Sequence, residues 1–192
     1  MRSTDSKALP ALGFLTVVRY EQHGFLGGYL VLNISGRPLE FHCTAPVKPN
    51  RAQEILYGPT LEPYLYGEQI GQTLLAKSQL EPLVICTDLP AVLSVREFVS
   101  MPVALVAASA EPPAGQAGSS PPGALFRIDA AHQASVRPLF QLGLNRLAVA
   151  GTHADDQPRV TAALEPVAEH FDLLEPFERI RGAIDEAQRS GR

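Results

Sequence analysis

Between Gly13 and Cys43 three runs rich in β-branched and aromatic residues alternate with two very short turn signals, and this spacing leaves few ways to fold. The runs are Gly13–Tyr20 (GFLTVVRY), Phe25–Ile34 (FLGGYLVLNI) and Leu39–Cys43 (LEFHC). Residues of these types fit a pleated, half-buried surface. Gln22-His23-Gly24 and Ser35-Gly36-Arg37 separate the runs. Connections this short join antiparallel neighbours, because a parallel crossover needs a dozen or more residues. The segment therefore predicts an antiparallel three-strand meander. In its third strand Leu39, Phe41 and Cys43 alternate with Glu40, His42 and Thr44, which predicts an inward apolar face carrying Cys43. Gly27-Gly28, inside the second, predicts a bulge or a close approach of something to the backbone.

Pro46 and Pro49 end the sheet, and Asn50 is placed to cap a short helix over Arg51–Tyr57. Gly58-Pro59 breaks it. A second helix over Leu61–Lys77 starts at a Thr60 cap, with Pro63 in a first turn that needs no N–H from it. Gly67 and Gly71 share one face of this helix. Each costs about 1 kcal/mol relative to alanine, so close packing or a bound partner must offset them.

The second half reads as strand–helix–strand units. Leu83–Thr87 and Pro102–Val106 are strands flanking a helix that Asp88 starts and that runs through Val99. Leu125–Asp129, a helix Gln133–Leu144 and a strand Arg146–Ala150 follow. The two units echo one another: Asp88, then Ser94-Val95-Arg96, against Asp129, then Ser135-Val136-Arg137, 41 residues later. A strand–helix–strand unit implies parallel strands and a right-handed crossover. A helix from Pro158, striped by Val160, Leu164, Val167 and Phe171 and kinked at Pro166, and a last helix from Pro176 to Gln188 complete the chain. The fold class is α/β, or α+β, with a mixed sheet flanked by helices.

At 192 residues, 45% hydrophobic and 19% charged, the whole chain is expected to form one globular domain. Residues 1–11 are expected as a flexible terminus, and the Ala/Pro/Gly/Ser-rich stretch 107–123 as a mobile loop. No signal-peptide pattern and no apolar run of membrane-spanning length is visible, and two cysteines read as reduced thiols. These features predict a cytoplasmic protein with no membrane partner. A net charge of −4 without a basic cluster speaks against nucleic acid.

No complete catalytic motif stands in the chain. Off the strand ends lie His42, Cys43, Cys86, Asp88, His153 and Asp155, which are candidates for a small-ligand site or a thiol-based enzyme. Neighbouring strand residues face opposite ways, so His42 cannot serve Cys43, and both cysteines read as buried, inert thiols. There is no CxxC or HxxxH spacing for a metal, and no glycine pattern for a phosphate or dinucleotide cofactor, so neither is expected. Tyr57, Tyr64 and Tyr66 cluster with Gly67 and Gly71, and tyrosine suits interfaces. The leading expectation is accordingly a non-catalytic protein-interaction or self-association module using these five residues, with the strand-end enzyme or ligand site as its alternative.

Overall fold

Turns at Gly24 (φ 91°) and Gly36 (φ 74°), both in left-handed conformations that favour glycine, fold the first three strands into the expected meander. A computed structural model describes residues 10–108 and 138–190. Its strands are β1 (Ala11–Tyr20), β2 (Gly24–Asn33), β3 (Pro38–Cys43), β4 (Val84–Thr87), β5 (Val103–Ala107), β6 (Phe140–Leu142) and β7 (Asn145–Val149). They form one seven-stranded mixed sheet in the order β3-β2-β1-β4-β5-β7-β6. Strands β1, β4 and β5 run parallel, and the remaining pairs are antiparallel.

The helices are α1 (Arg51–Tyr57), α2 (Leu61–Pro63), α3 (Thr73–Leu75), α4 (Asp156–Ala168) and α5 (Glu175–Ser190). Asn50 caps α1 as expected: its side chain accepts from the Gln53 N–H, and Gln53 reciprocates. Between α2 and α3 the chain is π-helical over Tyr64–Gln72, and Pro90–Phe98 is a 3-10 helix. Sequence periodicity did not distinguish these from α-helices. The Thr60 hydroxyl donates to the Tyr57 carbonyl and caps nothing.

Each sheet face carries a core. On one, Leu12, Phe14, Cys86 and Leu147 pack against Val160 and Leu164 of α4 and Phe177, Ile180 and Ile184 of α5. Phe14 meets Phe177 edge to face, with centroids 5.7 Å apart. On the other, Leu15, Tyr29, Val31 and Ile85 pack against Ile70, Leu74, Val92 and Val95. Gly27 and Gly28 explain how both layers come so close. A Cβ at Gly27 would lie 2.0 Å from Ile70 Cγ2, and one at Gly28 would lie 2.2 Å from Ile180 Cγ2 on the opposite face. Close approach is thus the outcome at these two residues; the register shift in β2 sits at Val31/Leu32.

Three expectations are corrected. The strand at 125–129 that would open the expected second crossover lies outside the described residues, and Phe140–Leu142, expected as the end of a helix, instead pairs with β7 as a hairpin. Gly143 (φ 56°) makes that turn. Asp88 caps no helix, since the 3-10 helix starts from an extended Leu89 and the Asp88 side chain is engaged elsewhere. In β3 the alternation holds but burial is inverted: Glu40 and His42 are half-buried, whereas Leu39, Phe41 and Cys43 are exposed. Strand β3 is a sheet edge, and α5 packs on β2 and β1, one and two strands inward. Residues 1–9, the 109–123 part of the expected loop, the strand at 125–129 and the start of the helix at 133–144 lie outside the described residues.

Candidate functional site

Strands β1 and β4 are parallel neighbours, and the chain leaves their carboxyl ends in opposite directions, β1 toward β2 and β4 toward β5. Such a switch point opens a crevice outside the strand ends, where ligands of open α/β sheets bind. Pairing between the two ends at Phe14 and Cys86. Beyond it β1 continues for six more residues, so Thr16 and Tyr20 face the same side as Phe14 with no β4 residue beside them. Asp88, two residues past Cys86, lies beside them.

The carboxylate of Asp88 is held from both sides. Buried Thr16 donates from Oγ1 to Asp88 Oδ1 at 2.7 Å, and Arg181 donates from Nη2 to Oδ2. The other arm of Arg181 reaches Glu178 at 2.6 Å. The Asp88 side chain is 11% exposed and that of Arg181 35%, so the guanidinium still faces solvent. One turn further on, Asp185 accepts from the Tyr20 hydroxyl. Burial first, then the hydrogen bond and charge of Asp185, push the Tyr20 phenol up to about 12, so it stays a donor at neutral pH.

Helix α5 supplies half of this site by its period. Phe177, Ile180 and Ile184 make its buried face, which places Glu178, Arg181 and Asp185, spaced three and four apart, along one flank. Thr16, Tyr20, Arg181 and Asp185 escaped the sequence reading. Their spacing marks a helix flank and a strand face, but their partners lie up to 165 residues away.

Of the six strand-end candidates, only Asp88 stands in this crevice. Cys86 lies beneath it, fully buried, and burial pushes its thiol up to about 12. Cys43 is exposed on β3. His42 faces the opposite side of the sheet, 3.3 Å from Glu40, which also accepts from Ser78 at 2.7 Å. Burial would raise the Glu40 carboxyl, but hydrogen bonds from Ser78, His42 and Gln79 outweigh it and hold it below its usual value. His153 ends the 3-10 turn Gly151–His153, with Nδ1 3.6 Å from Glu97. Asp155 precedes α4 without a capping bond. Among the described residues no group of three His, Cys, Asp or Glu side chains is gathered to hold a metal ion, and no helix is long and apolar enough to cross a membrane.

The two thiols differ enough for a direct check. Iodoacetamide at neutral pH is expected to modify Cys43 in the native protein and Cys86 only after unfolding, read by peptide mass spectrometry. Native labelling of Cys86 would contradict its place in the core.

The five residues expected to form a partner interface are engaged within the chain. A Cβ at Gly67 would lie 2.0 Å from Ser94 Oγ, and one at Gly71 would lie 2.9 Å from Val95 and 3.3 Å from Leu15. These glycines bring the π-helical segment onto the 3-10 helix and β1. Tyr57 stacks on Tyr64 at 4.1 Å, and Tyr66 packs against Phe25 at 5.6 Å.

No protein-family model and no curated protein matches this chain. Among solved structures, the catalytic domain of human Endonuclease V is similar at 13% identity over 94% of this chain and 84% of that one, with a TM-score of 0.48. Another structure of the human protein is similar at 12% identity over 94% of this chain and 86% of that one, with a TM-score of 0.39. Endonuclease V from Ciona intestinalis, in complex with DNA containing an inosine, is similar at 18% identity over 55% of this chain, with a TM-score of 0.37. This match spans about half of the Ciona chain, 48%. The expectation of a non-catalytic protein-interaction module with no nucleic-acid partner is set aside: the similar structures carry the name Endonuclease V, one of them in complex with DNA. The internal packing of Gly67 and Gly71 removes the physical motive for that expectation as well.

Proposed function

We propose that this protein acts on nucleic acid, and that the phosphodiester backbone meets the chain in the crevice between the ends of β1 and β4. The observation that carries this reading is the pairing of a carboxylate, Asp88, with a partly exposed guanidinium, Arg181, at the switch point of the sheet. Arginine presents a planar fork of donors suited to phosphate oxygens. In this reading Arg181 holds a non-bridging oxygen and offsets the charge that develops there during phosphoryl transfer. Asp88, aligned by Thr16, accepts a proton from the attacking hydroxyl or water. Tyr20, whose hydroxyl donates to Asp185, offers its oxygen lone pairs as a hydrogen-bond acceptor at the rim. The net charge of −4 is a sum over the chain, whereas a phosphate responds to the field in the crevice, where Arg181 is placed. Both cysteines are free, which accords with a reducing compartment, and we place this activity in the cytoplasm.

The test uses labelled single- and double-stranded DNA and RNA, with and without an inosine, and with and without magnesium. Binding is read by fluorescence anisotropy and cleavage on denaturing gels. Binding is expected at low salt, to weaken as salt rises, and to fall about 10- to 100-fold in Arg181→Ala, the range for a charge-assisted hydrogen bond. Asp88→Asn is expected to retain binding and lose cleavage. Absence of binding to all substrates at low salt, or full binding by Arg181→Ala, would overturn the proposal.

A further inference from the structure

On the sheet face opposite α5 a groove of about 800 Å³ opens between α2 with the turn before it, the 3-10 helix and the ends of β5 and β7. Its volume is that of a small-molecule site. Pro59, Pro63 and Pro90 form rigid walls, and Leu93 and Leu105 lie in the floor. The Ser94 hydroxyl in the wall is already committed, 2.9 Å from the Pro63 carbonyl and 2.8 Å from that of Ala91. The charged residues among the described lining are Glu62 and Glu97, with no lysine or arginine between them. Among the described residues Glu97, 57% exposed, meets only Thr152 at 3.5 Å and His153 at 3.6 Å, and Glu62 has no ion-pair partner.

An apolar trough whose described lining carries two carboxylates and no lysine or arginine complements one kind of occupant. We infer that this groove binds a compact organic cation, with an aromatic or alicyclic body against the prolines and leucines and an ammonium toward Glu62 and Glu97. The groove is preformed, because the Ser94 hydroxyl in one wall donates to the Pro63 carbonyl in the other at 2.9 Å. The inference stands apart from the phosphodiester reading, since it uses the other sheet face and no residue of the crevice.

The full-length protein is titrated with two fluorescent probes of like body and opposite charge, dansylcadaverine (an ammonium) and dansyl-6-aminohexanoate (a carboxylate). Saturable one-to-one binding of the ammonium probe is expected, about tenfold tighter than that of the carboxylate, which corresponds to two partly screened ion pairs. The double variant Glu62→Gln/Glu97→Gln, checked for native circular dichroism, is expected to lose that preference. Ala91→Phe, which adds bulk to the groove wall, is expected to weaken both probes. No saturable binding, equal affinity for the two probes, or an unchanged preference in the glutamine variant would each overturn the inference.

Discussion

Asp156→Ala is expected to lower the stability of the fold by about 3–5 kcal/mol, the loss that follows when one partner of a buried ion pair is removed. The Asp156 side chain is 4% exposed and that of Arg96 16%. Arg96 donates from Nε to Oδ2 at 2.5 Å and from Nη2 to Oδ1 at 3.2 Å, a two-pronged contact. The remaining arm of Arg96 reaches the Val99 carbonyl at 2.6 Å. Asp156 thereby ties the end of the 3-10 helix to the first turn of α4 across 60 residues of sequence. Without the carboxylate the guanidinium keeps its desolvation cost and loses its counter-charge. Arg159 also reaches Asp156, but at 52% exposure it contributes little. Urea denaturation reads the effect as a drop in midpoint at constant slope. The double variant Arg96→Met/Asp156→Leu is expected to recover most of the loss, because the penalty comes from the unpaired charge. A loss below about 1 kcal/mol in Asp156→Ala would show that the pair is solvated in solution.

Gly27→Ala and Gly28→Ala together are expected to cost about 2–6 kcal/mol, from about 1–3 kcal/mol of overpacking at each site. The sign is informative. Neither glycine adopts a positive φ, so alanine fits the backbone, and without a clash it would stabilise by about 0.4–1 kcal/mol through the unfolded chain. The clash reverses this, because the new methyl groups meet Ile70 Cγ2 on one face and Ile180 Cγ2 on the other. The two substitutions together are expected to cost at least the sum of the single effects, because β2 cannot shift away from one helix layer without pressing on the other. Isoleucine to leucine removes Cγ2 while conserving volume, so Ile180→Leu is expected to rescue Gly28→Ala specifically, and Ile70→Leu to rescue Gly27→Ala. Gly182→Ala is the control: nothing lies within 4 Å of its added methyl, and in mid-helix it is expected to gain about 1 kcal/mol. Stabilisation by either strand alanine would mean that the helices stand farther from β2.

Much of the fold was legible because its signals are local. Short turns force antiparallel neighbours, which is why Gly13–Cys43 yielded the meander. The Asn50 cap, the β4 and β5 runs, the Val160–Leu164–Val167 stripe and the Phe177–Ile180–Ile184 face also followed from period and turn chemistry. Where those signals are degenerate, the reading failed. Phe140–Leu142 is too short to declare a period, and pairing with β7 made it a strand. In β3 the alternation was correct, but only the tertiary structure decided how far across the sheet α5 reaches; it stops at β2, so Cys43 at the edge emerged exposed. At the candidate site, Asp88 could be found at a strand end, while Thr16, Tyr20, Arg181 and Asp185 could not. The same reason holds for Arg96 with Asp156 and for Gly67 against Ser94. The sequence by itself determined which segments are strands and which helix faces are apolar, because hydrophobic period and turn geometry act over a few residues. Only the tertiary structure decided which polar groups meet, because a charge or a glycine carries no local mark of the partner that packing brings to it.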